Sequence, residues 1–499
     1  MRARLPAALA LALALLATAL TAYLSTTVFE RIPHLEDEFA NLWQARVFAQ
    51  GKLSLPSPEP PRSYLVPFVI DYQGHRFGKY PPGWPAALSL GVRAGAAWMV
   101  NPLLAGLAIW LTFRLASKLL GEWMGVLAAL LLLSSPMFLM LSSSMMSHTF
   151  SLVLGLIFTL TWLDLFLRVD GSPSGRDSQE RLLVILAGLS LGLLALTRPW
   201  TAAALATPFV IHGGLRLLRG GRGARGRLLT VAGLAGLLAA CIPLWQYAVT
   251  GNPLLNPYTL WWPYDRLGFG AGIGVTESGH SLYWALYNTR FSLRAGLHDL
   301  FGWPFISWIF LPFGLFALRH DRRTWLLLGI PLSLIGFYAA YWIGSWLFGP
   351  RYYAEALPAL AIFSAAGIGW LGGWIETRAP ARRIRRLATF GLTVLLLAVD
   401  AIGYIPVRVG GMRGLYQITR APGEQIAQLN LGSALIIVHA DRWFQYAQLL
   451  PLVPPFSNSD LRIAWSRDPE TDAALVESEP GRMVYRYDAI TGRLSVYTP

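Results

Sequence analysis

The sequence has a single cysteine, Cys241, in 499 residues. One thiol cannot build a disulfide framework or a thiolate metal cluster. Charge is scarce too, at 14% of residues, while hydrophobic residues make up 54% and the mean hydropathy is +0.46. An ordinary soluble globule is excluded by that balance, because the apolar residues fall in repeated runs long enough to cross a bilayer. Acidic residues are the scarcer sign, 27 against 41 basic, which leaves a net charge of +14. Such a charge would suit nucleic acid, but the arginines cluster in short connections between apolar runs, so they read as a topology signal and no nucleic-acid partner is expected. An internal repeat is also missing, which counts against a transporter built from repeated halves.

What is present is a chain of apolar runs, about 11 of them. They are expected at 5–29, 84–113, 123–141, 149–167, 182–196, 202–218, 228–249, 304–318, 325–348, 352–375 and 387–406. The first follows Arg2 and Arg4, which puts the N terminus on the cytoplasmic side. Its Leu/Ala run is long for a signal core and reads as an uncleaved anchor, with a cleaved signal peptide ending near Ala19, Thr21 and Ala22 as the alternative. Arg114 with Lys118, Arg168 with Arg181, the arginines from Arg216 to Arg227, Arg319 to Arg323, and Arg378 to Arg386 then all fall on the inner side. The expected fold class is therefore an all-α polytopic membrane protein of the cytoplasmic (plasma) membrane. Residues 1–406 form its membrane domain, and a small α/β domain at 407–499 lies outside. In that domain 434–438 reads as a buried strand and 483–487 with 494–497 as a hairpin.

Between the first two runs, the outer loop 30–83 concentrates the rarer charge. Glu36, Asp37 and Glu38 stand side by side, just before Phe39, Trp43 and Val47 at helical spacing and a stop at Gly51. The spacing predicts a short amphipathic helix along the membrane surface. Its three acids either cap the helix N terminus, where the dipole favours them, or perform a proton transfer. Prolines break up 53–67, and 71–75 reads as a turn. Lys79-Tyr80-Pro81-Pro82 then enters the next apolar run, so Lys79 is either a snorkelling anchor or a phosphate ligand. A second long outer loop, 250–303, is rich in Trp and Tyr and carries His280. Its aromatics suit either sugar stacking or a headgroup belt. Arg198 sits outside against the charge bias, as an interface anchor or a contact to an anionic headgroup. Arg351 is one helical turn from Glu355, and the two either pair or leave Arg351 to hold a phosphate at a helix N terminus. His148 reads as a hydrogen bonder at a helix end.

Asp37-Glu38 ahead of Gly51-Lys52-Leu53, then Lys79-Tyr80-Pro81-Pro82, and late in the chain Gly349-Pro350-Arg351-Tyr352-Tyr353 occur in that order. Together they resemble the polytopic glycosyltransferases of the GT-C type, in particular the lipid-phosphate-sugar-dependent protein O-mannosyltransferase and aminoarabinose transferase group. The resemblance covers residues 5–406 and leaves the C-terminal segment outside it. It implies transfer of a sugar from a polyprenyl-phosphate donor, its tail in the membrane lipid, to an acceptor hydroxyl on a lipid, glycan or protein. The alternatives are a ligase or polymerase using diphosphate-linked donors, and a lipid or glycan transporter. Asp37 is then expected as the base and Glu38 as its support. Lys79, Arg351 and Arg198 are expected on the donor phosphate, with Tyr80, Tyr352, Tyr353 and His280 around the substrate. No cofactor is required by the sequence, and Asp37, Glu38 and His280 are the residues that could ligate a divalent metal.

Overall fold

The computed structural model describes residues 5–167, 177–304, 306–375, 383–456 and 459–497. The chain begins with α1 (Leu5–Thr27) and leaves the apolar bundle for α2 (Glu36–Ala49). An antiparallel sheet of β1 (Leu55–Pro56), β2 (Val69–Tyr72) and β3 (His75–Gly78) follows, then α3 (Gly83–Arg93). It returns as α4 (Val100–Leu120), α5 (Glu122–Leu133), α6 (Pro136–Ser143), α7 (His148–Phe166), α8 (Asp177–Thr197) and α9 (Pro199–Arg219). Next, α10 (Arg222–Ala239) runs into α11 (Cys241–Thr250), followed by the short α12 (Tyr258–Trp261) and by α13 (Leu282–Asp299). The bundle closes with α14 (Leu311–Leu318), α15 (Arg322–Tyr338), α16 (Leu357–Leu371), α17 (Arg383–Val399) and α18 (Ile405–Gly410).

Eight helices among the described residues are long and apolar enough to cross a membrane, or nine if α5 and α6, bent by 65°, form one span. The expected number, about 11, is not reached. The run expected at 304–318 shortens to α14, with 8 residues, and α15 ends at Tyr338 rather than 348 after 17 residues. Glycines and prolines at Gly302, Pro304, Gly344, Gly349 and Pro350 break helical continuity there, and the loop around Gly344 lines a cavity described below. Conversely, the expected outer loop 250–303 contains α13, with 18 residues.

Small residues let the helices approach closely. A Cβ at Gly314 of α14 would run into the Phe363 carbonyl of α16, and one at Gly367 into the Phe310 carbonyl, so the pair is held at backbone contact. The basic connections gather at one end of the bundle. There Lys118 Nζ lies 2.6 Å from Asp164 Oδ1, Arg323 donates to the Lys118 carbonyl at 2.8 Å, and Arg227 pairs with Glu180 at 2.6 Å. Arg2, Arg4, Arg168, Arg378 and Arg382 belong to the same expectation and lie outside the described residues.

At the opposite end sits the C-terminal unit, built on β4 (Ala434–His439), β5 (Leu461–Trp465), β6 (Met483–Asp488) and β7 (Arg493–Val496) in the order β5-β4-β6-β7. β4 is parallel to both neighbours, and β6–β7 is the expected hairpin. As an unbroken apolar run implies, β4 is buried on both faces. Ile436 and Val438 meet Ile426, Tyr446 and Ile463, while Leu435 and Ile437 meet Leu475 and Tyr64. Tyr64 belongs to the 30–83 segment, so that segment and the C-terminal sheet share a core. This changes the expectation for α2. Ala447 and Ile418 cover Phe39 and Trp43, and most of the helix is buried in protein instead of lying on a membrane surface.

Candidate active site

The site is built around the first turn of α2. Glu38, 1% exposed, turns inward: Oε2 accepts the backbone N–H of His34 (3.0 Å) and Leu35 (3.1 Å), and Oε1 accepts that of Met145 (2.6 Å). These bonds cap the helix and tie it to the 144–146 turn, which Asn101 also grips by donating to the Ser144 and Met146 carbonyls. Burial pushes the Glu38 carboxyl up to about 7, against the pull of its three backbone donors. Because successive helical residues point about 100° apart, Asp37 faces elsewhere. It opens into a cavity of about 510 Å³, lined also by Glu36. Asp37 Oδ1 accepts the Tyr80 hydroxyl, and Oδ2 lies 3.4 Å from Arg351 Nη2. Burial raises the Glu36 carboxyl above its ordinary range.

Lys79 arrives by a different route. Gln73 and Gly74 take positive φ values of 49° and 77°, the tight turn that pairs β2 with β3, and β3 is fixed to α2 by the Gly78 N–H donating to Gln44 Oε1 at 2.8 Å. The next residue is Lys79, 3% exposed, its ammonium 3.5 Å from the Phe68 ring centroid and 4.8 Å from that of Trp262. Its ion partner is Asp265 at 3.5 Å. Burial lowers the Lys79 pKa, and the carboxylates of Asp265 and Asp37 oppose that shift. Beyond the two prolines, Gly83 comes so close to α8 that an added Cβ would sit 2.7 Å from the Leu196 carbonyl carbon, which sets where α3 begins.

Two further arginines complete the cavity. Arg198, at the α8–α9 junction, pairs with Glu355 at 2.8 Å and donates to the Tyr338 hydroxyl at 3.0 Å. Glu355 therefore does not pair with Arg351, as one helical turn of spacing suggested. Residues 351–356 form a 3₁₀ turn broken at Tyr353, which sends Arg351 toward Asp37. Arg351 Nη1 is buried without a hydrogen-bond partner. Tyr352 stacks on Tyr338 at 4.8 Å. Asp37, Lys79, Tyr80, Arg198, Arg351 and Tyr352 thus line one cavity.

Glu38, Tyr353 and His280 do not line it. Tyr353 is buried in the bundle core, and the His280 Nε2 lies 2.9 Å from the Ala339 carbonyl with its ring stacked on Phe269. Asp37, Glu38 and His280 accordingly do not form a metal-binding group, and no cluster of three or more such ligands occurs among the described residues. Asp265 and His148 also line the cavity, and sequence reasoning gave neither of them a role there. Asp265 holds Lys79 and accepts from the Tyr341 hydroxyl and the Trp342 indole, each at 3.0 Å; its only signal was its place in an aromatic loop. His148, expected to bond at a helix end, instead faces the cavity with both ring nitrogens buried and unbonded.

The helical bundle, with α2 and the C-terminal sheet at one end, is similar in fold to solved structures of another protein. The solved structure of ArnT from Cupriavidus metallidurans bound to undecaprenyl phosphate matches with a TM-score of 0.59 at 15% identity, covering 97% of this chain and 90% of that one. The apo structure of the same protein matches at 0.57 and 14% identity, with 95% and 92% covered. At such identity the likeness is one of fold. No protein-family model and no curated protein matches the sequence.

Proposed function

We propose that the chain is a membrane glycosyltransferase, moving a sugar from a polyprenyl-phosphate donor to an acceptor hydroxyl at the outer face of the cytoplasmic membrane. The observation that carries this is a single cavity in which the Asp37 carboxylate stands beside the cations of buried Lys79 and half-buried Arg198 and Arg351. Acyl or peptide chemistry would ask for a nucleophile–base pair, whereas this set suits a reaction whose leaving group is a phosphate. That the ArnT structure is described with undecaprenyl phosphate supports a lipid phosphate as the group the cations meet.

In this reading Asp37 takes the acceptor's hydroxyl proton as its oxygen bonds to the anomeric carbon. The bond from that carbon to the phosphate oxygen breaks, and its electron pair leaves with the lipid phosphate. Arg351, through its unbonded Nη1, and Lys79 stabilise the developing charge. Arg198 is fixed by Glu355 and presents its remaining donors to the same anion. Tyr80 orients the Asp37 carboxylate, and the Tyr352, Tyr338 and Trp342 faces form the wall for a sugar ring.

The test is release of free polyprenyl phosphate from a radiolabelled polyprenyl-phosphate sugar by the purified protein in lipid, with a membrane extract as acceptor source. Asp37→Asn should lower turnover by roughly 10²–10⁴-fold while donor binding persists. Equal turnover by both proteins would move the base to Glu36. No release from this donor, with turnover of a polyprenyl-diphosphate-linked sugar supplied in its place, would identify the other donor class.

A further inference from the structure

A second cavity, of about 570 Å³, lies on the opposite side of α2, between the 30–83 segment and the C-terminal sheet. Its volume is in the range of small-molecule sites. Arg46, Lys52, Arg76 and Arg462 line it, and no aspartate or glutamate does among its described residues. Arg46 donates to the carbonyls of Val453 (3.0 Å) and Pro451 (3.1 Å), and neither it nor Lys52 has a carboxylate partner among the described residues. Arg76, 6% exposed, has Asp71 at 3.5 Å, yet its Nε makes no hydrogen bond. Arg462 pairs with Glu479 and lies 4.6 Å over the Tyr64 ring. The Tyr64 hydroxyl is buried with no hydrogen-bond partner, and Trp43 and Tyr446 offer further aromatic surface.

Gathering this much positive charge around a partly closed space is unfavourable unless an anion joins it. Aromatic faces beside guanidinium forks suit a ring with an anionic substituent, because the ring stacks while the fork holds the charged group in a bidentate way. We propose that this cavity is a binding site for an acidic saccharide, a sugar ring carrying a phosphate or a carboxylate. The charged group sits among Arg46, Arg76 and Lys52, and the ring lies toward Tyr64 and Tyr446. The proposal stands on this cavity alone and is independent of the transfer reaction, since it is read by binding.

The probe is glucose 6-phosphate, with glucose and inorganic phosphate as comparisons, measured by saturation-transfer NMR and calorimetry on the full-length protein. Glucose 6-phosphate should bind at least about 10-fold more tightly than either comparison, and saturating polyprenyl phosphate should not displace it. Lys52→Glu changes an exposed residue that can be replaced without disturbing packing, and should weaken binding by about 10-fold or more. Tyr64→Phe removes only the unpartnered hydroxyl, so the thermal midpoint should hold or rise while binding weakens by roughly 5-fold. Absence of glucose 6-phosphate binding to the wild type would overturn the proposal. So would equal affinity for glucose or for inorganic phosphate, competition by polyprenyl phosphate, or unchanged binding in both variants.

Discussion

Two carboxylates one residue apart in α2 have opposite surroundings, and the difference is measurable. Glu38 folds into a protein interior that raises its carboxyl from 4.5 to about 7. The folded state therefore binds a proton that the unfolded chain has already released, so stability falls as pH rises through that window and levels off above it. Glu38→Gln should flatten that dependence in thermal midpoints taken in detergent between about pH 5 and pH 8. It should also lower the midpoint throughout, because an amide has one acceptor oxygen for three backbone donors. Asp37 has no such task, and the residue to test beside it is Arg351. Arg351→Lys keeps the charge but loses the fork, and should raise the Kd for a polyprenyl phosphate by roughly 10-fold, read by a lipid-binding titration. Sequence singled out Asp37, Lys79, Arg198 and Arg351 because charge at the end of an apolar run is costly. It could not separate Glu38 from Asp37, since side-chain direction in the first turn depends on where the helix starts. Nor could it find Asp265 or His148, whose roles rest on contacts between distant segments: the Lys79–Asp265 pair spans two loops.

At the scale of elements, the α14–α16 pair gives the sharpest prediction. Gly314→Ala would drive a methyl into the Phe363 carbonyl and separate α14 from α16, lowering stability by about 1–3 kcal/mol. Gly233→Ala in α10, where nothing lies within 4 Å, should be neutral or stabilise by up to about 1 kcal/mol. Comparing the two thermal midpoints separates packing from helix propensity. Apolar runs such as α1, α7 and α9 were legible because their length and hydropathy are local properties, whereas the run expected at 84–113 is α3 followed by α4, which continues to Leu120. So were the β2–β3 turn at Gln73-Gly74 and the buried β4. The 304–348 region was misjudged for a different reason: hydropathy is similar whether an aromatic-rich segment crosses a membrane or lines a cavity, and Trp342 and Trp346 do the latter. α13 was hidden by an irregular apolar pattern, with Leu282, Tyr283, Leu286 and Tyr287 all exposed.

For the whole molecule, the C-terminal unit is part of the structure that holds α2. Ending the chain at Gly411 would uncover Phe39, Trp43 and Tyr64 and leave the proline-rich 53–67 stretch without its support. Limited proteolysis of that shortened protein should cut within 53–67 faster than it cuts the full chain. The cavity on the Asp37 side has a consequence of its own for the cycle proposed above. A sugar-bearing lipid phosphate is a diester with one negative charge, whereas the lipid phosphate left after transfer is a monoester with about −1.5 to −2 at neutral pH. In the proposed cycle Lys79, Arg198 and Arg351 would therefore grip the spent carrier more firmly than the loaded one. In that cycle, escape of the empty carrier into the bilayer is the step that this concentration of positive charge opposes.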